Sequence, residues 1–182
     1  MVNITLAVTG SISAYKAADL TSQLTKLGHK VTVLMSRSAM DFITPLTLQS
    51  LSKNLVHTDV MVEEDPSLIK HIDIAKETDL FLVAPASANT IAKLAHGMAD
   101  NIVTATALAL PIGIPKLIAP AMNTNMYLNP ATQKNLNTLE EYGFDEVKPR
   151  EALLACGDFG TGALAEVTDI LEKVSNTLNE KK

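Results

Sequence analysis

The chain has 182 residues, 47% of them hydrophobic and 19% charged, which suits one soluble domain with a sizeable core. Aromatic residues make up only 4% and Trp is absent, so the core is expected to be aliphatic. With 15 basic against 20 acidic residues the net charge is -5, which argues against broad contact with a nucleic-acid backbone but leaves room for one small phosphorylated ligand held by backbone amides.

In chain order, the first element is an apolar, β-favouring run, Ile4 to Val8. No basic segment precedes it, so it reads as a strand and not a signal peptide. It stops at Thr9-Gly10-Ser11. A helical pattern from Ala14 to Leu27 follows, with Ala17, Leu20, Leu24 and Leu27 on one face and Gly28 as the stop. Val31 to Met35 is the second strand, and Leu80 to Ala84, nearly all apolar, is another. Helices are expected from Asn89 to His96 and from Asn101 to Leu110. The apolar run Ile102 to Ile114 is broken by Pro111 and Gly113, short of the ~18 residues of a membrane span, so no membrane contact and a cytoplasmic location are expected. Lys116 to Ala119 is a further strand. Ala131 to Tyr142 is an amphipathic helix stopped by Gly143, and Glu166 to Leu178 is the last helix.

Strands apolar on both faces, alternating with helices, predict a doubly wound α/β domain: a parallel sheet in a flavodoxin/Rossmann-like three-layer sandwich spanning 1–182. The segment from Pro149 to Ala165 has weak periodicity, three glycines and the only cysteine, Cys156. It is expected to be a long loop, a flap around 150–165. A single cysteine excludes an intramolecular disulfide.

Ligands of such sheets gather beyond the carboxyl ends of the strands, and four segments with polar chemistry fall there. Gly10 and Ser11 allow close backbone approach at a helix start, although a tight turn with a serine cap has the same pattern. Neither the dinucleotide fingerprint nor the P-loop is present. Pro85-Ala86-Ser87-Ala88-Asn89-Thr90 holds more hydroxyl and amide groups than one helix cap requires. In Pro120-Ala121-Met122-Asn123, an asparagine at a strand end can donate to a carboxylate, or simply shape a turn. Leu154 to Gly162 carries Cys156 between glycines that permit closure over a ligand. The four histidines, His29, His57, His71 and His96, lack zinc-ligand spacing, so no metal is expected.

Taken together, Gly10-Ser11-Ile12-Ser13-Ala14-Tyr15-Lys16, His71-Ile72-Asp73-Ile74-Ala75, Pro85 to Thr90, Pro120 to Asn123 and Ala155-Cys156-Gly157-Asp158 resemble, in family order, the motifs of the homo-oligomeric flavin-containing cysteine decarboxylases. The resemblance implies FMN, held by Gly10, Ser11, Ser36, Phe42, Ser87, Ala88, Asn89 and Thr90. It implies a homotrimer, or a multiple of trimers, with FMN at a subunit junction. The small-molecule substrate it implies is phosphopantothenoylcysteine, with any ligase that makes it on a separate protein. One position departs from the pattern: Gly162 is followed by Ala163 and Leu164, where the family flap often continues Gly-Arg-Met.

A plain carboxylate does not lose carbon dioxide readily, because the carbanion has no electron sink. Oxidising the neighbouring CH2–SH to a thioaldehyde creates one, and FMN is suited to take that hydride. The resemblance assigns His71 as the base, a residue type that titrates near neutrality. It assigns Asn123 to orient the carboxylate and Cys156 to donate the proton for the final reduction. Peptidyl-cysteine decarboxylases, which stop at the enethiol and need no such donor, are the alternative. Flavin prenyltransferases fit the His71 and Cys156 motifs poorly. A non-catalytic flavin-binding regulatory subunit is the alternative from another class; such relatives carry long acidic extensions.

Overall fold

The computed structural model describes residues 1–62, 67 and 69–180. Six strands, β1 (Asn3–Val8), β2 (Lys30–Met35), β3 (Val56–His57), β4 (Leu80–Ala86), β5 (Lys116–Pro120) and β6 (Phe144–Glu146), form one sheet in the order β3-β2-β1-β4-β5-β6. Every pairing in it is parallel. Alternation along the strands sends side chains into two apolar layers. Leu6, Val33 and Leu82 meet α1 (Lys16–Lys26), α2 (Pro45–Ser52) and α8 (Val167–Asn179) on one face. Ala7, Phe81, Val83 and Ile118 meet α3 (Lys70–Glu77), α4 (Ala88–Ala95), α5 (Ile102–Ala109) and α7 (Pro130–Glu141) on the other. Each fully buried Leu or Phe contributes about 1.5–3 kcal/mol. The expected three-layer α/β sandwich is therefore the observed one.

Some elements carry too little apolar signal to be read in advance. Helices α2 and α3 are eight residues each, and Ala75 is the one buried residue of α3. The segment expected as a long loop is instead an antiparallel hairpin of β7 (Arg150–Leu153) and β8 (Phe159–Ala163). It lies off the main sheet and buries only Gly162 fully in its two strands, so the core leaves no apolar pattern in its sequence.

In the observed order the chain turns from one direction of winding to the other between β1 and β4. That point leaves a crevice at the carboxyl ends, where ligands of such folds bind.

Candidate active site

A cavity of about 480 Å³ opens at this crevice. Gly10, Ser11, Phe42, Ser87, Ala88, Asn123 and Cys156 all line it, so candidates from five separate stretches of sequence come together.

The β1 and β4 ends are joined by a buried threonine that the motif reading passed over. Thr9 Oγ1 donates to the Pro85 carbonyl at 2.6 Å and accepts from the Ser87 N–H at 2.8 Å. Ser87 in turn caps α4, its Oγ accepting from the Thr90 N–H at 3.3 Å. Thr9→Val keeps the shape and deletes both bonds. It is expected to cost about 1–3 kcal/mol, a fall of roughly 2–4 °C in Tm for each kcal/mol. An unchanged melting curve would show that the bridge contributes nothing.

Gly10 is a close-approach position: an added Cβ would lie 2.5 Å from Ser38 Cβ. The approach brings the β1–α1 loop against the 3-10 turn Arg37–Asp41, which Ser36 and Phe42 flank. Ser36 Oγ is buried there without a partner among the described residues.

Asn123 caps α6 (Thr124–Leu128), its Oδ1 accepting from the Asn125 N–H at 2.8 Å. That bond fixes the amide, and Nδ2 donates to Cys156 Sγ at 3.3 Å. The short helix is anchored by Tyr127, whose hydroxyl donates to Glu146 Oε1 at 2.9 Å. Burial first, then the bond to Glu146 and its charge, push this phenol up to about 12, so it remains a donor near neutrality.

Cys156 sits at the tip of the β7–β8 hairpin, exposed, with Sγ donating to Asp158 Oδ2 at 3.4 Å. The flap is seated by its glycines as much as freed by them. The Met122 N–H donates to the Gly162 carbonyl at 2.9 Å, and a Cβ on Gly162 would lie 2.2 Å from Met122 O. Gly160 approaches Thr124 in the same way. Gly162→Ala is expected to lift the hairpin and lower kcat/KM at least ~10-fold, since an ~1 Å misplacement can cost 100-fold. Steady-state kinetics at wild-type values would contradict this seating.

The other candidates lie off the cavity wall. Thr90 is buried and hydrogen-bonded to Ser87, and Asn89 is exposed in the first turn of α4. Ser36 precedes the 3-10 turn whose Ser38 meets Gly10. His71 is half-buried on α3, with Nδ1 enclosed and without a partner among the described residues. A larger cavity, about 570 Å³, opens near the amino end of β5 among Leu94, Met98, Leu108, Ile112 and Phe144, and none of the candidate residues lines it. Among the described residues no group of three His, Cys, Asp or Glu is placed to hold a metal, and no helix is long and apolar enough to cross a membrane.

The set fits a flavin nucleotide. The first-turn N–H groups of α4 suit a phosphate, Ser11 on the wall adds a polar group, and the apolar walls suit a ring system.

Known proteins resemble this chain in sequence and in fold. The chain is 61% identical over 175 residues to the "Probable phosphopantothenoylcysteine decarboxylase" of Streptococcus mutans, covering 96% of this chain and 98% of that one. It is 47% identical over 170 residues to the coenzyme A biosynthesis bifunctional protein CoaBC of Bacillus subtilis, covering 93% of this chain but only 41% of that longer protein. Among solved structures, a PPC decarboxylase mutant complexed with pantothenoylaminoethenethiol superposes with a TM-score of 0.88 at 31% identity, covering 98% of both chains. The FMN binding protein AtHal3 superposes with a TM-score of 0.85 at 32% identity, covering 98% of this chain and 97% of its own. The model of the Flavoprotein family matches residues 1–179, a span that holds the whole sheet and the hairpin, and the chain belongs to that family.

Proposed function

We propose that the chain decarboxylates phosphopantothenoylcysteine to phosphopantetheine, a step of coenzyme A biosynthesis, with FMN in the β1–β4 crevice. The observation that carries this reading is the Asn123–Cys156 contact inside that crevice: a neutral donor and a thiol side by side where a cysteine-derived carboxylate has to react.

Bound there, FMN supplies the hydride acceptor that no side chain can provide. The protein supplies the rest. Asn123 Nδ2 donates to the substrate carboxylate and holds it for departure. His71 accepts the proton of the substrate thiol. Cys156 Sγ–H donates a proton to the substrate carbon after carbon dioxide has left, and the hairpin closes over the reacting atoms and excludes water. Cys156 separates this reading from a peptidyl-cysteine decarboxylase, which ends at the unsaturated enethiol and needs no such donor.

His71 is off the wall of its own chain's cavity. We therefore assign it to the cavity of a neighbouring copy, in a homotrimer or a multiple of trimers. The mouth supports this: Ile12, Tyr15, Phe42, Met126 and Leu153 line the cavity yet stand 47–72% exposed, an apolar rim that another copy would cover. The 182 residues are taken to act as one unit with 150–165 as its flap. The cytoplasm is the proposed compartment, because a reducing environment keeps the single cysteine a free thiol.

The test is release of carbon dioxide from phosphopantothenoylcysteine by the purified, flavin-loaded protein. No release at any substrate concentration would refute the proposal.

A further inference from the structure

At the base of the hairpin, away from Cys156, the cavity wall carries two cations, Lys16 and Arg150. Both reach one carboxylate. Lys16 Nζ lies 3.5 Å from Glu166 Oε2, and Arg150 Nε lies 2.9 Å from Glu166 Oε1. Arg150 Nε also donates to the Leu164 carbonyl at 3.3 Å. Two positive charges share one negative charge, so the cluster keeps a net charge of about +1. Glu166 therefore orients the pair without neutralising it.

Arg150 pairs across the hairpin with Ala163, at the base of the flap and on the side away from its tip.

We propose that Arg150, with Lys16 beside it, binds the phosphate of the substrate and sets the preference for a phosphorylated over an unphosphorylated pantothenoyl arm. This rests on the reading of the site given above. The length of the hairpin supports it. From Arg150 to Leu153 the strand rises about 10 Å, and the tip bearing Cys156 lies beyond that. The pantothenoyl arm places about ten bonds between the cysteine nitrogen and phosphorus, roughly 12 Å when extended. A substrate with its sulfur at Cys156 brings its phosphate to the base of the hairpin. Ala152 and Leu154 line the stretch between and suit the dimethyl portion of the arm. A planar guanidinium donates to two phosphate oxygens at once, which a carboxylate held by Asn123 does not require.

The experiment compares phosphopantothenoylcysteine with pantothenoylcysteine in the flavin-loaded wild type, Arg150→Met and Arg150→Lys. Arg150→Met is expected to lower the ratio of kcat/KM values, phosphorylated over unphosphorylated, by about 10- to 100-fold, chiefly through KM. Arg150→Lys is expected to recover part of it, with flavin content equal in all three. A ratio unchanged in Arg150→Met, or a loss of flavin instead of a loss of preference, overturns the assignment. Calorimetric titration of the flavin-loaded wild type with phosphopantothenate and with pantothenate tests it without turnover or a variant. Tighter binding of the phosphorylated compound supports the site, and equal affinities overturn it. Absence of turnover with both substrates would count against the proposed reaction, while the titration would still decide the phosphate site.

Discussion

Replacing His71 with Asn is expected to leave FMN bound and to lower turnover of phosphopantothenoylcysteine by about 100- to 10,000-fold, the range that removing a general base costs. The side chain is half-buried near the start of α3, and Asn preserves a polar group there while removing the proton-accepting ring. Its enclosed Nδ1 has no partner among the described residues. Flavin absorbance at the wild-type level together with lost carbon dioxide release separates loss of the base from loss of the cofactor. Product formation at the wild-type rate would remove His71 from the reaction. The same variant tests where the base acts. Mixing His71→Asn and Cys156→Ser chains in one oligomer restores roughly a quarter of the sites if each site takes its histidine and its cysteine from different copies. If both come from one chain, mixing restores none.

Cys156→Ser is expected to keep carbon dioxide release and lose the final reduction, so that an unsaturated enethiol accumulates. The cysteine reaches the cavity at the hairpin tip, between the Asn123 amide and the Asp158 carboxylate. A serine hydroxyl fits that space but is a far weaker acid than a thiol, so proton delivery to carbon fails while the earlier steps proceed. Mass spectrometry of the product decides it. Normal saturated thiol from the variant would show that another group donates the proton, and loss of carbon dioxide release as well would place Cys156 earlier in the reaction.

Much of the architecture was legible because burial writes it into the sequence. Strands such as Leu80–Ala86, buried along their whole length, have few alternatives to the interior of a parallel sheet. The hairpin was misread because Arg150–Leu153 and Phe159–Ala163 fold over a cavity and not over the core, so their apolar and polar residues do not alternate as in a half-buried strand. The site was legible in parts. Asn123 and Ser87 announce themselves as polar groups at strand ends, and Cys156 as the single thiol among glycines. Thr9 was overlooked because a buried threonine after a strand has no pattern of its own; its role depends on Pro85 and Ser87, 76 and 78 residues away. The Lys16–Glu166–Arg150 cluster was invisible for the same reason, its members being brought together by the ends of α1, β7 and α8. His71 shows the opposite limit. Its motif is readable, yet among the described residues no contact explains it.

The most direct measurement is the exact mass of the thiol formed when yellow, FMN-loaded protein is incubated with phosphopantothenoylcysteine. The account predicts a product lighter than the substrate by carbon dioxide alone, the saturated phosphopantetheine, with the flavin oxidised again at the end. A product lacking two further hydrogens, or a protein that holds no flavin and leaves the substrate intact, would contradict it.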